Sequence, residues 1–215
     1  MSGSRLRWAI FPASVVSAVD NPDAYLLRAL GQVLAERGDQ ATFFEERANP
    51  AVRALLRRSG GQALADFRAR HPEIDYRTTD PRTGADLVEW LTRTLGTYDI
   101  ALALAAAPAE LVGWLGRLSR THLRTYLLDT GYEPALDEAA IEAREPGNFT
   151  GIFAGSDTIA ARYGRFIALA RIHHLGPLPE PDDQALDRLR AVAARLVETV
   201  ALAPDARAAD HDAGG

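Results

Sequence analysis

The chain has 215 residues, 47% of them hydrophobic and 25% charged, with a formal net charge of −5. That size suits one large domain with a sizeable core, and the acidic balance leaves a polyanionic partner such as nucleic acid no global electrostatic footprint. There is no cysteine, which excludes disulfides, thiolate metal centres and a cysteine nucleophile; all 24 basic side chains are arginine, which excludes a Walker-type phosphate lysine and any Schiff base.

The first apolar run, Leu6–Phe11, predicts a strand, followed by a loop over Pro12–Asp20. Asn21 is placed to cap a helix with Pro22 at its first position, and Leu26, Leu27, Leu30, Val33 and Leu34 make its apolar face up to the stop at Gly38. Gln40–Phe44 reads as a second strand ending in a charged turn, Glu45-Glu46-Arg47. Pro50–Arg70 reads as helix interrupted at Ser59-Gly60-Gly61, and Ile74–Thr78 as a third strand. Thr83 and Asp86 have the spacing of a capping box ahead of Leu87, Trp90, Leu91 and Leu95.

Ile100–Ala105 is apolar without alternation, the pattern of a strand buried on both faces. Pro108 opens a helix carrying Leu111, Leu115 and Leu118, and Arg124–Leu128 gives a fifth strand. A polar helical stretch spans Pro134–Arg144; Gly151–Ala154 is a sixth strand running through Gly155-Ser156 into a helix over Asp157–Tyr163. Phe166–Ile172 reads as the seventh strand, Pro177–Pro181 as a linker and Asp183–Ala201 as a last helix. The tail from Ala203 to Gly215 has the composition of a disordered segment.

Strands alternating with helices predict an α/β fold: a doubly wound, mostly parallel sheet with helices on both faces, Rossmann-like, as one domain over residues 1–202 with the last helix packing back on it. Nothing reads as a signal peptide, and no apolar run approaches the roughly 18 residues of a membrane helix. The expectation is a cytoplasmic protein with no membrane span and no nucleic-acid partner.

Open parallel sheets bind ligands beyond the carboxyl ends of their strands. Ser14 and Asn21 lie in the loop that leads to the first helix, where free N–H groups favour an anion; a plain cap at Asn21 is the competing reading. Asp129 closes an apolar strand and suits a general base or a sugar hydroxyl, although Asp129-Thr130-Gly131 is also a good turn. Gly155 and Ser156 repeat the strand, turn and capped-helix geometry. Glu45-Glu46 reads either as a ribose contact or as a solvated turn. His173 and His174 are adjacent on a predicted strand and point to opposite faces, so no metal site is expected. No G-x-G-x-x-G follows the first strand, so the dinucleotide fingerprint is missing.

Several segments carry a family likeness: Ser14–Asn21; Tyr25-Leu26-Leu27-Arg28-Ala29-Leu30; Leu34-Ala35-Glu36-Arg37-Gly38 before Thr42-Phe43-Phe44-Glu45; the run from His122 to Gly131; and Phe153-Ala154-Gly155-Ser156-Asp157. Over residues 5–178 the sequence resembles the N-terminal half of GT-B fold glycosyltransferases, in particular bacterial spore-coat-related and family-4-like members. The resemblance implies a transferase domain on the acceptor side of a two-domain cleft. Asp129 would be its catalytic carboxylate, with Ser14, Asn21, Thr130, Gly155 and Ser156 as substrate contacts. It also implies a nucleotide sugar as ligand, with no further cofactor required. The second, donor-binding domain has no counterpart in this sequence, so a partner chain or a homo-oligomer is expected to complete the cleft. Two other readings compete: a non-catalytic binding or scaffold protein, and a small nucleotide-binding enzyme without a glycine fingerprint.

Overall fold

In a computed structural model the described residues are 5–16, 21–119, 123–131, 136–179 and 185–203. Seven strands and eight α-helices alternate along them: β1 (Arg7–Phe11), α1 (Pro22–Arg37), β2 (Gln40–Glu46), α2 (Pro50–Ser59), α3 (Gln62–Arg70), β3 (Asp75–Thr79), α4 (Gly84–Leu95), β4 (Ile100–Leu104), α5 (Ala109–Arg117), β5 (Arg124–Asp129), α6 (Glu138–Glu142), β6 (Gly151–Ala154), α7 (Asp157–Tyr163), β7 (Ile172–His174) and α8 (Ala185–Leu202). The strands form one sheet in the order β3-β2-β1-β4-β5-β6-β7, with every pairing parallel. This is the doubly wound, Rossmann-like α/β domain that the alternating pattern predicts.

Side chains of a strand alternate between faces, so each inner strand feeds two cores. Trp8 and Ile10 of β1, with Leu102 of β4 and Phe153 of β6, enter the layer of α1, α3 and α8. Ala9 and Phe11, with Ala103, Leu127 and Ile152, enter the layer of α4, α5, α6 and α7. The helix packed most extensively on α1 is α8, where Leu189, Val192, Ala193, Leu196, Val197 and Val200 meet Leu26, Leu27, Leu30 and Leu34. Arg190 ties the pair at the surface by pairing with Glu36 at 2.7 Å. No helix among the described residues is long and apolar enough to cross a membrane.

The first helix follows its sequence signals closely: Asn21 accepts from the Asp23 N–H at 2.8 Å, Pro22 begins the helix, and Gly38 ends it. Four expectations are corrected. Glu45 is not in an exposed turn; β2 runs on to Glu46, and Glu45 is fully buried. Thr83 caps α4 by position only, since Asp86 is taken by Arg82 at 2.8 Å and the Gly84 N–H donates to Glu110. The polar stretch after β5 forms only the short α6, capped by Asp137. The last strand begins at Ile172, because Phe166–Arg171 makes a turn and one 3-10 helical turn that bring Ile172 beside Ile152. Pro134, Asp183 and the tail from residue 204 lie outside the described residues.

Candidate functional site

Beyond the carboxyl ends of β5 and β6 opens a cleft of about 520 Å³. Asp129 and Thr130 come from the end of β5, and Gly155 and Ser156 from the end of β6; Pro22 at the start of α1 and Pro177–Pro179 flank them. Four of the six sequence-derived site residues therefore meet in one place. Because β5 and β6 are paired through Asp129 and Ala154, the residues that follow leave the sheet side by side.

Asp129 is half-buried, and its two oxygens are held differently. One accepts from the Gly131 N–H at 3.0 Å, which makes the turn expected from the sequence; the other accepts from the Tyr163 hydroxyl at 3.0 Å. Each carboxylate oxygen retains a lone pair for a ligand. Tyr163 is fully buried below the cleft. Burial, and then the negative charge of Asp129, push its phenol far above the ordinary value near 10, so at neutral pH it is always the donor.

The walls are closely fitted. A Cβ on Gly155 would lie 2.4 Å from the Thr130 carbonyl oxygen, and the Gly155 N–H donates to the Asp129 carbonyl at 2.8 Å, so only glycine lets the two loops touch. Gly131 turns the chain away with a φ of 74°. The Thr130 hydroxyl donates to Asp23, a buried carboxylate in the first turn of α1, and this contact pins the start of α1 over the end of β5. Leu136, Ile141, Ile159 and Leu178 supply apolar surface, and Arg162 adds a cation whose guanidinium donates to the Leu136 carbonyl at 3.4 Å. Behind them Arg144, itself buried, donates to the Ala105 carbonyl at 2.8 Å and to the Ala140 carbonyl at 2.6 Å, fixing α6 to the end of β4.

The other two sequence-derived residues sit apart. Asn21 is spent on its helix cap, one residue from the cleft wall at Pro22. Ser14 is buried at the end of β1 beside Glu45, where its hydroxyl and the N–H groups of Val15 and Val16 bond the Glu45 carboxylate. Arg28 donates to the Val15 carbonyl at 2.8 Å and completes this anchor for the loop after β1. Glu45 is thus a structural carboxylate, neither a ribose contact nor a solvated side chain. Ser156 caps α7 by accepting from the Ile159 N–H at 3.3 Å while also lining the cleft. His173 stacks on Phe153 and His174 pairs with Asp157 at 3.0 Å, each in its own direction as the strand geometry requires. Among the described residues no three His, Asp or Glu side chains gather as a metal site.

Sequence reasoning missed Asp23, Tyr163, Arg144 and Arg162. Asp23 reads as an ordinary first-turn acid, and Tyr163 lies thirty-four residues from the carboxylate that it holds.

No family model and no curated protein matches the chain. Among solved structures, the YdjI aldolase from Escherichia coli K12 aligns over 94% of this chain and 93% of its own, at 10% identity and a TM-score of 0.29. A superposition that loose bears on neither fold nor chemistry.

Proposed function

We propose that the protein is the acceptor-side domain of a sugar-transferring enzyme, with the cleft beyond β5 and β6 as its acceptor site. The observation that carries this reading is Asp129: a carboxylate at the end of a buried strand, opening on a cleft and held in orientation by a buried phenol. A hydroxyl donating to Asp129 would lie between the apolar walls that suit the C–H face of a sugar ring. In transfer, Asp129 takes the hydroxyl proton as that oxygen bonds to the anomeric carbon of the donor, and the nucleotide leaves with the electron pair of the broken bond. The donor's diphosphate would be held by a partner chain or a second copy closing over the same sheet edge.

Two features support this reading. The sequence resemblance runs through both loops that form the cleft, and the cleft volume falls in the range of small-ligand sites.

The test is thermal stability with simple sugars and with nucleotide sugars, for the wild type and Asp129→Asn. At a ligand concentration about 100 times its dissociation constant, binding adds roughly 2.7 kcal/mol, a rise of about 5–10 °C for a domain of this size. The expected result is a rise with an acceptor sugar in the wild type and none in Asp129→Asn. No rise with any sugar would overturn the reading, and a rise with nucleotides alone would favour the nucleotide-binding alternative.

A further inference from the structure

A second feature of the same sheet edge is electrostatic. Residues 47–70 contain six arginines and one acidic residue, Asp66, in a chain whose net charge is −5. Three of these arginines, Arg47, Arg53 and Arg57, line one groove of about 560 Å³ together with Asp80, over apolar surface from Leu56 and Pro81. The topology creates the groove. Pairing of Glu46 with Thr79 makes β2 and β3 end together, so Arg47 and Asp80 emerge as neighbours, and α2 then turns back across them. Arg53 and Arg57 are four residues apart on α2 and so share a face.

The counter-charges do not balance. Arg47 reaches Asp80 at 3.6 Å with both side chains mostly in solvent, and neither Arg53 nor Arg57 has a carboxylate partner among the described residues. Several arginines elsewhere are matched: Arg77 with Asp75, Arg82 with Asp86, Arg117 with Glu145, Arg165 with Glu138 and Arg190 with Glu36. Like charges four apart on a helix repel, so an unneutralised pair beside a third arginine is an arrangement that an anion relieves. Guanidinium forks match phosphate oxygens, and three of them exceed what one carboxylate can use.

We infer that this groove is a phosphate site, taking the phosphate or diphosphate group of a small ligand on Arg47, Arg53 and Arg57. A compact anion fits better than a long one, because the excess of arginine over acid is confined to this segment and the remainder of the chain is acidic. Arg47 follows β2 and Asp80 follows β3, three and four strand spacings from Asp129 on β5, on the order of 14–19 Å. The site is therefore independent of the sugar reading and can fail or hold alone.

Titration calorimetry of the full chain with inorganic pyrophosphate tests it. The expected result is saturable binding at one site, weakened at least tenfold in the double variant Arg53→Gln/Arg57→Gln, whose melting temperature without ligand matches the wild type because both side chains are exposed. Arg58→Gln, on an exposed neighbour outside the groove, and Asp129→Asn should bind as the wild type does. Absence of binding, equal binding by the double variant, or an equal loss in Arg58→Gln would overturn the site. So would a chain that ignores pyrophosphate yet sediments with vesicles of phosphatidylglycerol, which would point to an extended anionic surface instead.

Discussion

Tyr163, on α7, donates its hydroxyl to Asp129, on β5, across 3.0 Å, and so fixes a half-buried carboxylate from beneath. The bond joins the packing of one core to the chemistry of the cleft. Tyr163→Phe keeps the ring and deletes the donor. Hydrogen bonds to charged groups contribute about 1.5–3 kcal/mol, and water reaching Asp129 will recover part of that. The expected loss is roughly 1–2 kcal/mol, or about 2–8 °C in melting temperature. On the sugar-transfer reading, affinity for the acceptor falls without vanishing, whereas Asp129→Asn abolishes it. Unchanged stability in Tyr163→Phe would mean that the bond does not hold the carboxylate.

Two glycines make opposite predictions. Gly155→Ala places a methyl group 2.4 Å from a backbone oxygen, so the loops after β5 and β6 must separate. Overpacking of this kind costs about 1–3 kcal/mol, and any ligand of the cleft should bind less well. Gly113 lies inside α5 with its nearest neighbouring atom 3.5 Å from a built Cβ, an ordinary contact. Gly113→Ala should stabilise by about 0.5–1 kcal/mol, since alanine loses less backbone freedom in a helix. Denaturant melts of both variants decide this; equal effects would show that neither environment is as described.

Burial raises the Glu45 carboxyl above its ordinary value near 4.5, outweighing the hydrogen bonds from Val15, Ser14 and Val16 that favour the ionised form. The folded protein therefore keeps this proton at pH values where the unfolded chain has released it. The contribution is complete below the ordinary value and is lost as pH rises through the folded one. Glu45→Gln carries no such slope. The melting temperature of the variant, relative to the wild type, should climb as pH rises from about 4.5 towards neutrality. A difference that stays flat across that range would show that the carboxyl is not held protonated.

Leu196 lies fully buried between α8 and α1. Leu196→Ala should cost about 2–5 kcal/mol by the cavity that it leaves, measured by urea unfolding. Leu186→Ala, on an exposed position of the same helix, should cost little.

The architecture was legible because its signals are local. Asn21, Pro22 and Gly38 mark both ends of α1, and Ile100 to Leu104, apolar at every position, has the pattern of a strand buried on both faces. The gathering of Asp129, Thr130, Gly155 and Ser156 was legible for the same reason, since each ends or directly follows a recognisable strand. What stayed hidden depends on distant partners. Glu45 follows an apolar run and precedes Arg47, so it reads as the start of a turn, and only the Val15 and Val16 amides arriving from another loop make it a buried acceptor. The capping box at Thr83 failed because Arg82 and Glu110 outcompeted the local bonds. Tyr163 resembles any other apolar residue of α7 until β5 is placed against it.

The pairing of α8 with α1 separates in time what it joins in space. Residues 22–37 leave the ribosome more than 140 residues before Ala185 does, so Leu26, Leu27 and Leu30 must wait for their cover. At about 5–20 residues per second, that delay is on the order of 10–30 s. Until then only the sheet side of α1 can be packed, against Trp8, Ile10 and Phe43, and the side that α8 covers stays open to water although the sheet is already complete.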